Sequence, residues 1–409
     1  MIVLSGADLV LPDRILTPGT LVIDGDRIAE VRAGHASGAS HPRAPLFAFH
    51  GHYIVPGFID VHVHGVESFD TLDDGTPVSN MAARMPRFGV TAFCPTTIAC
   101  APEELRRALR QVRLARKTRA PRAARVLPAH IESNFINPQF RGAQPLACLR
   151  SPRAALAGSI KIPHPIRDDD DRFSAPELLA EIERSAPDVG IVTLAPELDG
   201  GLELIEWLTR RGHIVSLGHS GATYEEGVDA IAAGARQATH LFNRMPPLAH
   251  RAPGLAGAIL QAEEVAAELI CDGVHVHPAM VRTAIAAKRP SRIMAITDGT
   301  AAAGLGPGRW ASIGGQAITA GVSAALLRDG TVAGSLITMD RAFQMLVEKV
   351  GLSLVDAATV CSTTPAHELK LVGHGVLAPD AVADLVVLDS KLEVVQTYIS
   401  GQLVYSRTA

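Results

Sequence analysis

Through the middle of the chain, short apolar runs alternate with stretches whose apolar residues recur at helical spacing. Eight runs stand out: Phe58 to His64, Thr91 to Thr96, Arg125 to Glu132, Ile191 to Glu197, Ile214 to His219, Gln237 to Phe242, Ala267 to Asp272 and Arg292 to Asp298. This alternation is the pattern of parallel strands joined by crossover helices. The intervening segments Pro102 to Arg119, Gly201 to Arg211, Tyr224 to Ala235 and Pro278 to Lys288 carry Ala, Leu, Glu and Arg at the spacing of a helix. Ser174-Ala-Pro-Glu177 and Thr223-Tyr-Glu-Glu226 read as capping boxes that open two helices. Eight such units predict an α/β fold, a (β/α)8 TIM barrel over residues 56–371, inside the size range of that architecture.

Both ends follow a different rhythm. Met1 to Arg32 and Gly375 to Tyr405 alternate as short strands around turns such as Asp24-Gly25-Asp26 and Ser400-Gly401-Gln402. They predict a small β-sandwich domain formed by both termini, residues 1–55 with 372–409. Two more strands, Gln316 to Ala320 and Ala324 to Leu327, belong to an insertion after the eighth run. Asn134 to Arg172 is a long loop, and loops of that length are functional or mobile.

Composition narrows the function. With 38 Lys and Arg against 42 Asp and Glu, the chain has a formal net charge of −4. It therefore has no basic field for nucleic acid or anionic membrane. No apolar run approaches the ~20 residues of a membrane span. The opening Met1-Ile-Val-Leu-Ser-Gly lacks a secretory signal, so the expected location is cytoplasmic. Five cysteines without a C-x-x-C pair argue against a disulfide framework and a thiolate zinc site, and Cys94 reads as a core residue. The basic helix face of Arg106, Arg107, Arg110, Arg113, Arg116 and Lys117 reads as solvated, and Asp168 to Asp171 as an acidic stretch before a helix. Aromatics are only 4 %, so a sugar ligand would be recognised by polar contacts rather than by stacking.

A barrel enzyme carries its chemistry at the carboxyl ends of its strands, and there the polar residues collect. The first run ends Asp60-Val-His62-Val-His64, the third His130-Ile-Glu132, the fifth Gly218-His219-Ser220, the sixth Thr239-His240 and the eighth Thr297-Asp298. Residues two apart on a strand share a face, so His62 and His64 point together and can hold one cation. A lone histidine of this kind is ordinarily a satisfied core residue. Four of these histidines, His62, His64, His219 and His240, together with the carboxylates Glu132 and Asp298, are not explained by packing, because each would be a costly buried polar group. Imidazole and carboxylate ligands suit zinc or another first-row ion better than calcium or magnesium.

Pro56-Gly-Phe-Ile-Asp-Val-His-Val-His64, followed by His219, His240 and Asp298, resembles the amidohydrolase superfamily of metal-dependent hydrolases. Within it the chain is similar to the N-acetylglucosamine-6-phosphate deacetylases. That similarity rests on Val192-Thr-Leu-Ala-Pro-Glu197, Gly218-His-Ser-Gly-Ala-Thr223, Ala238-Thr-His-Leu-Phe-Asn243, Met245-Pro-Pro247, Arg251-Ala-Pro-Gly254, Asp272-Gly-Val-His275, Thr297-Asp298 and Gly334-Ser335. The resemblance implies hydrolysis of the acetyl amide of an amino-sugar phosphate. It implies Glu132, His219 and His240 as ligands of a principal metal, zinc or alternatively iron, and His62 and His64 as ligands that allow a second. It implies Asp298 at the metal centre and as general base. Contacts to the sugar and phosphate are implied for Asn243, the adjoining Arg244 backbone, Arg251 with its two-pronged fork for phosphate, His275 and the Val332-Ala333-Gly334 backbone, and a homodimer is implied as the assembly.

Three departures from the family pattern matter. His130-Ile-Glu132-Ser133-Asn134 replaces H-x-E-G-P, and Gln144 stands where the family places a histidine that orients the acyl carbonyl. Gln144 can donate a neutral hydrogen bond there but cannot be cationic. Gly65-Val-Glu67-Ser68 lacks the usual glycines, which predicts a differently shaped mouth. His275 and His277 form a second H-x-H, but beyond a strand end and before Pro278, where a loop role is expected. The alternative substrate classes are another N-acyl amine or a cyclic amide. A non-catalytic scaffold is a further alternative, disfavoured because all six candidate ligands are present.

Overall fold

The structure, a computed structural model, describes residues 1–36, 44–157 and 173–407. The acidic run Asp168 to Asp171 and the end of the long loop lie outside the described residues.

Period-two alternation builds the small β domain. In the strand Leu385–Leu388, Leu385 and Val387 enter one core while Val386 and Leu388 enter another, as expected of a sheet covered on both faces. Tyr53–Pro56 joins the two ends of the chain, pairing parallel with Ile2–Val10 and antiparallel with Leu385–Leu388. Ile15–Asp24 and Arg27–Ala33 extend the sheet on one side, and Val394–Ile399 and Gln402–Ser406 on the other. The edge strand Arg27–Ala33 then curls back onto the segment that leads into Leu385–Leu388. Ile28 N–H donates to Ala381 O at 2.9 Å and Ala383 N–H to Asp26 O at 2.8 Å. The expected two-layered domain is thus one continuous sheet folded over a core that includes Leu4, Leu21, Ile28, Leu385 and Tyr398.

All eight expected runs form parallel strands: Phe58–Val63, Val90–Thr97, Arg125–Val126 continuing as Ala129–Glu132, Val189–Leu194, Ile214–Leu217, Gln237–Ala238, Ala266–Ile270 and Ile293–Ile296. The last meets the first through Asp298 N–H to His62 O (2.9 Å) and His64 N–H to Gly299 O (2.8 Å), which closes the barrel. Several strands stop before the run of sequence does. His219, His240 and Asp298 take positive φ of 47°, 31° and 48°, so the chain leaves the ladder at these polar residues.

The four expected helices appear as Pro102–Lys117, Gly201–Arg210, Tyr224–Ala232 and Pro278–Lys288. At Thr223 the capping box is reciprocal: its Oγ1 accepts from Glu226 N–H at 3.2 Å, and its own N–H donates to Glu226 at 2.8 Å. At Ser174 the N–H donates to Glu177 at 2.9 Å and opens the helix Ala175–Arg184. The basic helix face is exposed, as expected, and carries ion pairs that the sequence did not show. Arg106 is paired with Glu181 at 2.5 Å, while Arg113 and Arg116 reach Asp188 at 2.7 and 2.5 Å. The face is solvated, with Arg106, Arg110 and Lys117 exposed, and along one edge it is also ion-paired with acids of the helix Ala175–Arg184 and its following turn. Glu181 and Asp188 are buried and require those partners.

The insertion after the eighth strand has three strands, Trp310–Ile313, Gln316–Ala320 and Ala325–Leu327. The first escaped the sequence because Trp310 is exposed and the run has no clean alternation. Among the described residues no helix is long and apolar enough to cross a membrane. Cys94 is fully buried in the barrel interior.

Candidate active site

The positive φ values do chemical work. A left-handed turn costs a non-glycine residue on the order of 1–2 kcal/mol, and here it lifts His219, His240 and Asp298 off their strands toward a common point. His219 Nε2 and His240 Nε2 lie 2.8 and 3.0 Å from Glu132 Oε1 and 3.1 Å from each other. A tetrahedral ion with ligands at ~2.0–2.1 Å has edges of ~3.3 Å, so the spacing fits one. Beside this group, His62 Nε2 lies 3.3 Å from His64 Nε2. Asp298 Oδ1 stands 3.4 Å from the former and 3.2 Å from the latter. His62, His64 and Glu132 form one candidate metal cluster, and Glu132, His219 and His240 another.

Electrostatics point the same way. Burial pushes the Glu132 carboxyl up, but the imidazoles of His219, His240 and His62 bring it well below the usual range. Asp298 is likewise held low, with His64 and His62 outweighing burial. Burial pulls His240 down, but Glu132 lifts it to about 9, and His64 rises under Asp298 and Glu132. Burial, helped by the neighbouring His64 and His240, takes His62 down to about 3 against the pull of Asp298 and Glu132. The centre holds more negative charge than its neutral imidazoles can offset, a deficit that protons or a bound cation must fill.

Ring orientation supports the second choice. His219 Nδ1–H donates to Phe140 O at 2.8 Å, which turns the Nε2 lone pair inward. The loop that supplies Phe140 is itself tied down. Asn137 N–H bonds His219 O at 3.0 Å, and Glu197 accepts from Asn137 Nδ2 at 2.8 Å, Ser220 Oγ at 2.7 Å and Gly221 N–H at 2.6 Å.

Above the cluster opens a cavity of 570 Å³, roomy enough for a phosphorylated monosaccharide. His64, Glu132, Gln144, His219, His240, Asn243, Arg244, His275, Asp298 and Val332 to Gly334 all line it. Asn243 Nδ2 and His275 Nε2 are buried there without a protein partner, while His275 Nδ1–H is fixed by Asp272 at 2.6 Å. His62 is fully buried and does not reach the cavity wall. Among the expected substrate contacts Arg251 is the exception: it is exposed, lies just before the helix Gly254–Gln261 and does not line the cavity of its own chain. His277 caps the helix Pro278–Lys288, accepting from Ala279 N–H at 3.2 Å, in keeping with a loop role.

The family departures have local reasons. Ser133 Oγ donates to Thr193 O at 2.5 Å, and Asn134 Nδ2 donates to Cys100 O and Cys148 O at 2.8 and 2.7 Å, so both brace the loop. Gln144 accepts from Ala99 N–H at 2.7 Å and donates from Nε2 to Glu132, so in this structure its amide serves the ligand carboxylate. Glu67 and Ser68 take φ of 45° and 74°, the region glycine would occupy, and Glu67 pairs with Arg87 at 2.5 Å. Sequence reasoning missed Glu268, whose Oε2 accepts from His62 Nδ1 at 2.9 Å. The available signal was a single carboxylate inside the apolar run Ala266–Ile270.

A parallel barrel with imidazoles and carboxylates gathered at the carboxyl ends of its strands is the architecture of divalent-metal hydrolases. The model of the Amidohydrolase family matches residues 53–404. The human N-acetylglucosamine-6-phosphate deacetylase is 36% identical, over 100% of this chain and 95% of that one. An N-acetylgalactosamine-6-phosphate deacetylase of Escherichia coli O157:H7 is 34% identical, over 86% of this chain and 87% of that one. A mutant N-acetyl-D-glucosamine-6-phosphate deacetylase of Mycobacterium smegmatis, solved in complex with N-acetyl-D-glucosamine-6-phosphate, superposes with a TM-score of 0.85 at 30% identity, covering 99% of each chain. The chain belongs to the amidohydrolase family and, within it, to the N-acetylglucosamine-6-phosphate deacetylases.

Proposed function

We propose that this protein hydrolyses the acetyl amide of an N-acetylated amino-sugar phosphate, N-acetylglucosamine 6-phosphate first among them, giving acetate and the amino-sugar phosphate. The observation that carries the reading is the convergence of Glu132, His219 and His240 beside Asp298 on the floor of a cavity with unpaired polar groups in its wall. Glu132, His219 and His240 would hold the principal metal, and His62 and His64, with Asp298, a second. Zinc suits this nitrogen and oxygen set best, with iron the alternative. When bound, the metal supplies Lewis acidity, polarising the acyl oxygen and lowering the pKa of water.

The chain's own residues supply the rest. Asp298, ionised at neutral pH because its carboxyl is held low, accepts the proton of the attacking water and returns it to the departing amine nitrogen. Gln144 keeps Glu132 oriented, and the Val332-Ala333-Gly334 backbone bounds the sugar. Asn243 and Arg244 offer donors to the sugar and its phosphate and His275 its free Nε2, with the Arg244 guanidinium suited to a bidentate phosphate contact. Arg251, exposed outside its own cavity, would meet a phosphate held by a second copy, in keeping with a homodimer. The working compartment in this reading is the cytoplasm, where such sugar phosphates arise.

The test is acetate release from a panel of N-acetylhexosamine 6-phosphates, including both the gluco and galacto epimers, and from their unphosphorylated parents. Chelation should abolish turnover and added Zn2+ should restore it. Removing the phosphate should lower kcat/KM by ~100-fold or more, the scale of a lost charge-assisted bidentate contact. Zinc-loaded protein that releases no acetate from any phosphorylated member would overturn the assignment. Equal efficiency on phosphorylated and plain sugars would move it to a different N-acyl amine.

A further inference from the structure

Below the centre lies a carboxylate that the proposed reaction leaves without a role. Glu268 sits on the seventh barrel strand, Ala266–Ile270, with no solvent exposure. A charge in such a place costs several kcal/mol unless strong partners surround it. Its Oε2 accepts from His62 Nδ1 at 2.9 Å and from the His240 backbone N–H at 3.4 Å. Its Oε1 lies 3.7 Å from His130 Nδ1 and has no hydrogen-bond partner.

In its ionised form the Glu268 carboxylate only accepts hydrogen bonds, so the His62 proton then sits on Nδ1 and Nε2 presents a lone pair. That lone pair faces His64 Nε2 at 3.3 Å, Asp298 Oδ1 at 3.4 Å and Glu132 Oε1 at 3.9 Å. Such a set of lone pairs is tolerable only with a positive charge among them. His130 cannot take over the bond from Glu268. Its Nδ1–H is given to Val61 O at 3.1 Å and its Nε2 meets Thr193 Oγ1 at 2.7 Å. Held in that way, its ring packs edge-on to His62 with 4.5 Å between centroids.

We propose that Glu268 is a positioning residue: it fixes the Nδ1–H tautomer of His62 and so aims Nε2 as a ligand for a cation shared with His64 and Asp298. This rests on the reading of the centre as a cation site. The experiment compares wild type with Glu268→Gln and Glu268→Leu. Long-range 1H–15N spectra of the metal-free proteins, with the His62 signal assigned from a His62→Asn variant, report the tautomer. Titration with Zn2+ alone reports affinity and stoichiometry.

Wild type should show His62 as Nδ1–H. Glu268→Gln, which retains a neutral acceptor, should keep that tautomer and bind the His62-dependent zinc ~10-fold more weakly. Glu268→Leu should lose the tautomer preference and weaken that zinc by up to ~100-fold. An Nε2–H His62 in wild type, or wild-type affinity in either folded variant, overturns the proposal. Should Glu268→Leu fail to fold, Glu268→Gln decides alone. Wild-type protein that takes up no Zn2+ would sink the cation reading itself, a result distinct from variants that bind as wild type does.

Discussion

In the proposed reaction, Asp298 is the side chain on which the chemistry turns. It lies on the cavity wall, its carboxyl is held low, and His64 and His62 stand within 3.2 and 3.4 Å. Asp298→Asn should lower kcat by ~10²–10⁴-fold, the usual scale for a lost general base, while Glu132, His219 and His240 still retain zinc. Acetate kinetics beside metal analysis check this, and an active variant would remove Asp298 from the role. Asn134 makes the opposite case. Its amide satisfies the buried carbonyls of Cys100 and Cys148, so Asn134→Ala should cost about 2 kcal/mol of stability and leave kcat of the folded protein nearly unchanged. Thermal unfolding and kinetics on one preparation separate the two effects.

Among the elements, the return of the three-stranded insertion matters most. Ser335 N–H donates to Asp298 O at 2.9 Å and Ser335 Oγ donates to Thr297 O at 2.5 Å, so this segment clamps the end of the eighth strand. Gly334 approaches at φ 75°, where an added Cβ would lie 2.8 Å from both Asp298 O and Thr300 Cγ2. Gly334→Ala should therefore cost about 1–3 kcal/mol and lower kcat by moving Asp298. Unchanged kcat in the folded variant would show that the clamp does not position the base. The barrel strands and four helices were legible in the sequence because buried parallel strands and amphipathic helices impose their own periods. Trp310–Ile313 was not, since a half-exposed flap strand has no apolar face to advertise.

In the whole molecule, the β domain is locked to the barrel around one buried acid. Asp384 accepts from Ser400 N–H at 2.7 Å, lies 3.1 Å from His374 Nδ1 and 3.4 Å from Arg125 Nη2, while its carbonyl accepts from Gly57 N–H at 2.9 Å. Burial raises its carboxyl, but His374 and Arg125 hold it below the ordinary value. A depressed folded-state pKa means that the stabilisation is complete above the unfolded carboxylate pKa of ~3.9 and is lost as pH falls through the folded value. Asp384→Asn should cost about 3 kcal/mol at neutral pH. The gap to wild type should shrink on acidification below the usual carboxylate range. Thermal unfolding against pH measures it, and a pH-independent gap would point to packing instead.

Local pattern was enough to establish the number of barrel units, the pairing of the two termini in a β domain, and which histidines and acids stand at strand ends. Each of these follows from periodicity or from strand alternation, which neighbouring residues dictate. Tertiary structure alone could decide what lies across the barrel from what. Glu268 meets His62 although 206 residues separate them. Gln144 turns toward Glu132, and Arg251 turns away from its own cavity. The exposed helix face of Arg106 to Lys117 pairs along one edge with acids on the helix Ala175–Arg184 and its turn. Contacts of this kind depend on the register and closure of the whole sheet, and no short window of sequence contains them.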